Sequence, residues 1–161
     1  SRPYKATTLQ HTQSAPRCKS GTCIRRQPAP SLLIEDKTMV DRVIATPAAL
    51  DLIDALKGRH GPALMFHQSG GCCDNSSPNC YLPTDLTVGP YDLKLGEIGG
   101  VPFYMGAAQY EYWKHTQLII DVVTGQGGNF SLEAGSGKAF ITRSRLFSDD
   151  EWNELEAAGL V

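Results

Sequence analysis

Glycine punctuation constrains the second half of this chain more than any other feature. Gly99-Gly100, Gly125-Gln126-Gly127-Gly128 and Gly135-Ser136-Gly137 break it into short runs, because glycine reaches backbone conformations closed to other residues and marks turns. The runs between them, Val101 to Met105, Gln117 to Val123, Phe130 to Glu133 and Lys138 to Leu146, are strand candidates. Just upstream, Tyr91, Leu93 and Leu95 alternate with Asp92, Lys94 and Gly96, the period of two that marks a half-buried strand. Short strands separated by glycine predict a small glycine-rich β meander or barrel-like sheet.

Helices frame that sheet. Met39 to Ala45 reads as a short strand, after which Thr46-Pro47 supplies an N-cap and a proline at the first helical position. Ala49, Leu52, Ile53 and Leu56 recur at helical spacing, with Asp51 and Asp54 facing outward and Lys57 and Gly58 as C-terminal signals. Ala63 to Gln68 is an apolar run of strand length that leads straight into a cysteine-bearing loop. Ser148-Asp149-Asp150-Glu151 is a capping box, Phe147 and Trp152 are placed as a hydrophobic staple, and a last helix should run to about Gly159. The expected class is α+β, with an N-terminal capped helix, a C-terminal helix, and one domain spanning residues 39–161.

Charge separates that domain from what precedes it. Residues 1–34 hold six of the 15 Lys and Arg and no acidic residue, so the remainder carries nine basic against all 17 acidic residues, a balance of −8. Such a body has no surface to track phosphates, and no aromatics are interleaved with Arg and Lys, so nucleic-acid binding is not expected. No stretch approaches the roughly 18 consecutive apolar residues of a membrane helix, and the expectation is a soluble, intracellular protein. Residues 1–31 are rich in Ser, Thr, Gln, Pro and Arg and lack periodicity, which predicts a flexible basic tail. Its composition fits an organellar transit segment, giving a mitochondrial location, or equally an extension without a targeting role on a cytoplasmic protein.

The chemistry concentrates in His67-Gln68-Ser69-Gly70-Gly71-Cys72-Cys73-Asp74-Asn75-Ser76-Ser77-Pro78-Asn79-Cys80. One imidazole and three thiols in so short a span suit zinc, copper or iron, and His67, Cys72, Cys73 and Cys80 are candidate metal ligands. Adjacent cysteines are not the paired knuckle of a zinc ribbon. The same atoms allow thiol redox chemistry, with Cys73 and Cys80 as a disulfide and Cys72 as the exchanging partner. They also allow plain burial, since free cysteine is among the most buried residues. Cys18 and Cys23 fall in the tail. A second group, Glu111, His115 and Asp121, supplies catalytic candidates. Glu111 and His115 are four apart and share a face in helix or strand, which makes His115 a further candidate ligand. Asp121, inside an apolar run, needs a partner such as a turn, Arg143 or Arg145. Tyr110, Tyr112 and Trp113 read as core or rim packing.

Several of these segments together resemble the DUF779 family of uncharacterised proteins over about residues 40–152: His67 to Asp74 with Ser76-Ser77-Pro78 and Cys80, Gly96 to Met105, Glu111 to Gln117, Phe130 to Glu133, and Thr142 to Phe147. The association of bacterial members with aldehyde dehydrogenase genes implies an accessory role beside such an oxidoreductase. More distantly, the order of capped helix, short strand and Gly70-Gly71-Cys72, then Ile120 to Val123 and Gly125 to Phe130, is similar to A-type iron–sulfur carriers of the HesB-like kind. Those carriers use a C-terminal Cys-x-Cys pair, where this chain reads Thr142-Arg143-Ser144-Arg145. A shared fold would therefore imply ligands rearranged around residues 67–80. The leading expectation is a metal-binding accessory protein. A small thiol or metal enzyme and a non-catalytic interaction module with structural cysteines are the alternatives, and homo-oligomerisation stays open.

Overall fold

The computed structural model describes residues 39–68, 70 and 77–161. The expected tail, with Cys18 and Cys23, lies outside the described residues. The described elements run β1 Val43–Ala45, α1 Pro47–His60, β2 Met65–Gln68, β3 Pro78–Tyr81, β4 Asp92–Ile98, β5 Val101–Gly106, α2 Ala107–Trp113, β6 Thr116–Thr124, β7 Lys138–Leu146 and α3 Asp149–Ala157. The α+β class holds.

The helix starts follow their local chemistry. The Thr46 hydroxyl accepts from Ala49 N at 3.3 Å, and Pro47 opens α1. Ala49, Leu52, Ile53 and Leu56 are its buried stripe. The helix runs past Gly58 and ends where Gly61, at φ 95°, donates to Lys57 O at 2.9 Å, a conformation that favours glycine. At α3 both arms of the capping box form: Glu151 N donates to the Ser148 hydroxyl at 3.3 Å and Ser148 N to Glu151 Oε2 at 2.9 Å.

The strands sort into two mixed sheets, of order β1-β6-β7 and β3-β2-β5-β4. β1 runs parallel to β6 and β2 to β5, while β6–β7, β2–β3 and β4–β5 are antiparallel. β4 lies against β1 and β3 against β7, so the sheets approach along both flanks without closing into one barrel among the described residues. Between them lies the core. Phe66 stacks on Phe103 at 6.0 Å within its own sheet and meets Phe140 edge-on at 5.0 Å across from the other. Leu52, Ile53 and Leu56 of α1 complete it.

One expected strand is absent. Residues 130–133 form turns, because Ser131 N bonds Gly128 O at 3.0 Å and Ala134 N bonds Ser131 O at 3.0 Å, which uses amides a ladder would need. Leu132 N still reaches Cys80 O at 2.9 Å, so the segment is pinned to β3.

Candidate functional site

Strand alternation decides where each ligand candidate points. Phe66 pairs with Cys80, and His67 with Asn79, across β2 and β3. Directly opposed residues share a face and neighbours along a strand do not. Phe66 and Cys80 therefore face the core, while His67 and Asn79, joined by Tyr104 of β5, face the other side.

Cys80 is accordingly fully buried as a free thiol. Burial, with the nearby Glu133 carboxylate second, pushes its thiol up to about 12. Its amide donates to the Ser131 hydroxyl at 2.8 Å, and that hydroxyl donates in turn to Glu133 Oε2. Glu133 is itself buried, which raises its carboxyl above the usual range, against opposing hydrogen bonds from Ser131 and backbone amides. Cys80 and His67 thus leave their strands on opposite faces, so these two expected ligands do not converge among the described residues. Cys73, the other half of the expected disulfide, lies outside the described residues. Nothing in the sequence linked Glu133 to this cysteine; the strand reading of residues 130–133 assigned it no role.

His67 is placed differently. Its Nε2 lies 3.1 Å from Asp92 Oδ1, with side chains 22 % and 19 % exposed. Asp92 Oδ2 accepts from Gly89 N at 2.7 Å, which fixes the carboxylate. The His67 hydrogen bond, with the Gly89 amide second, holds the Asp92 carboxyl below its ordinary range. With Nε2 turned to a carboxylate, Nδ1 is the nitrogen left for another partner. A metal-binding imidazole is usually oriented in this way, by a carboxylate on its other nitrogen. Asp92 read in the sequence only as a polar position in an alternating strand. Beside His67, Asn79 Oδ1 is buried without a hydrogen-bond partner among the described residues. It sits so close to Gly128 that a Cβ there would lie 2.3 Å away.

The second group does not converge. α2 ends at Trp113, so Glu111 and His115 do not sit on a common element. Glu111 pairs with Lys114 at 2.8 Å. His115 is exposed and its ring lies tilted against Trp152 of α3, with centroids 4.4 Å apart and an interplanar angle of 36°. Asp121 accepts from Arg143 Nε at 2.8 Å, Val122 N at 2.8 Å and the Thr46 hydroxyl at 2.9 Å, and Arg143 above all holds its carboxyl low. It is an architectural carboxylate joining α1 to the first sheet, as the partner-seeking reading of the sequence anticipated. No three His, Cys, Asp or Glu side chains gather as a metal site among the described residues. Cys72 and Cys73 lie outside them.

An α+β domain with two mixed sheets and a carboxylate-held histidine, followed in sequence by two adjacent cysteines, is the class these features define. Residues 52–146, more than half of the chain, match the family model described as domain of unknown function (DUF779), and the chain belongs to that family. No curated protein matches it. A crystal structure of IscA with the [2Fe-2S] cluster is similar at 19 % identity and TM-score 0.36, over 65 % of this chain and 84 % of that one. No helix among the described residues is long and apolar enough to cross a membrane.

Proposed function

We propose that this chain is a metal-binding accessory protein in which Cys72 and Cys73, with His67, hold a transition metal ion of the zinc, copper or iron type. Asp92 serves as the positioning residue for His67. The observation that carries this reading is the His67–Asp92 pair at 3.1 Å, which turns one imidazole nitrogen to a carboxylate at the strand end leading into the two cysteines. Two thiolates and a neutral imidazole favour soft or borderline cations over calcium or magnesium. The ion would compensate two adjacent thiolates. The accessory role belongs beside an oxidoreductase such as an aldehyde dehydrogenase, to which such a protein would deliver or from which it would withdraw metal.

Metal analysis of the full chain, purified without added metal, tests this. Cys72→Ser, Cys73→Ser and His67→Ala should each lower bound metal. Asp92→Asn should weaken affinity by about tenfold or more. Cys80→Ser and His115→Ala should retain it. Metal that survives loss of Cys72 and Cys73, or that depends as strongly on Cys80, would overturn the assignment.

A further inference from the structure

Tyr81 ends β3 on the same face as Asn79, since residues two apart on a strand share a face. Beyond it the chain turns back, with Asp85 N donating to Leu82 O at 2.9 Å. Phe130 approaches from the loop between β6 and β7. Tyr81, Asp85, Leu86 and Phe130 together line an open pocket of about 400 Å³, a volume inside the roughly 300–1,000 Å³ of small-molecule sites.

Three features of this pocket point to one kind of ligand. Phe130 is 86 % exposed, the highest value among the exposed large hydrophobic residues. Yet its neighbours are anchored, Ser131 and Leu132 both bonding to the Cys80 backbone, so the ring is held out in a defined place. Asp85 is exposed and has no Lys, Arg or His ion-pair partner among the described residues. Among the described residues its carboxylate meets only the Thr84 hydroxyl, at 3.5 Å. The lining is thus two aromatic rings, one aliphatic side chain and one uncompensated negative charge.

Ring faces attract cations through their quadrupole, and the effect grows as the cation sheds water. An anion would be repelled by Asp85, and a neutral apolar molecule would strip water from that carboxylate with nothing to pair it. A bare metal ion would find a single carboxylate where several oxygen ligands are needed. We propose that the pocket of Tyr81, Asp85, Leu86 and Phe130 binds a small alkylammonium ion, its charge facing the rings and Asp85 and its alkyl groups against Leu86. The balance of −8 over residues 35–161 favours approach of a cation.

Titration of the full chain with tetramethylammonium chloride at constant ionic strength, followed by NMR of the Tyr81 and Phe130 ring protons, tests it. Saturable binding is expected, with the neutral isostere tert-butanol about tenfold weaker, and with Phe130→Ala and Asp85→Asn each about tenfold weaker than the parent. Both substituted side chains are exposed, so the variants should keep the parent circular dichroism. Equal binding of the neutral isostere, unsaturable shifts, or unchanged affinity in both variants would overturn the proposal. A trimethyllysine peptide binding more than about tenfold tighter than tetramethylammonium would replace the small ion with a protein partner's side chain.

Discussion

Iodoacetamide added to the native protein at about pH 8 should leave Cys80 unmodified for far longer than the same cysteine in denaturant. Alkylation proceeds through the thiolate. With a thiol at its ordinary 9.0 roughly a tenth is ionised at that pH, whereas at about 12 only about one part in ten thousand is. That alone slows modification about a thousandfold. Access slows it further, since Cys80 has 0 % exposure and the reagent must wait for β3 to open. The assay is a labelling time course read by mass spectrometry of the Cys80 peptide, native against denatured. Native labelling within about tenfold of the denatured rate would refute the core-facing placement and return Cys80 to the set of reactive thiols.

Three further outcomes follow from the geometry. Thr46→Ala loses both the cap to Ala49 and the bond to Asp121, and should cost about 2 kcal/mol and roughly 6 °C in melting midpoint, with Thr46→Ser within about 0.5 kcal/mol of the parent. Gly128→Ala drives a methyl to 2.3 Å from Asn79 Oδ1 and should cost about 1–3 kcal/mol in denaturant unfolding; the Asn79→Ala/Gly128→Ala double variant should recover most of that loss, and failure to do so would exclude the clash as the cause. Glu133 has its folded carboxyl raised above 4.5, so its contribution is fully present below that value and is lost as pH rises through the raised one. Against Glu133→Gln, the parent should therefore lose relative stability as pH rises from about 4.5 through the raised value in paired denaturation curves, and a constant difference would count against the buried acid.

Local chemistry accounts for what the sequence revealed and pairing for what it hid. Thr46-Pro47 and the Ser148–Glu151 box carry their own hydrogen-bonding logic, and both helices begin there. α2 buries no residue and has no side-chain cap, so it left no stripe or cap to read. The strand reading of Lys138 to Leu146 matches β7 end to end, while that of Phe130 to Glu133 failed because turn hydrogen bonds took its amides. At the site, His67 stood out because its strand runs into the cysteines. Asp92, 25 residues away, arrives through sheet order, which no local pattern encodes. Cys80 illustrates the point most sharply, since one residue of register separates its core face from the face of His67.

The parallel pairing of β1 with β6 has a consequence for the order in which the chain assembles. β1 has three residues, and the Thr46 that follows it meets Asp121 75 positions later. A short strand gains little until its partner arrives, and closing so long a loop costs entropy before any contact repays it. During synthesis β1 and the Thr46–Asp121 bond must therefore wait until β6 emerges. The β2–β5 pairing and the β4–β5 hairpin span shorter loops and can form first. The sheet bearing His67 and Asp92 is thus available to fold while the first sheet is still incomplete.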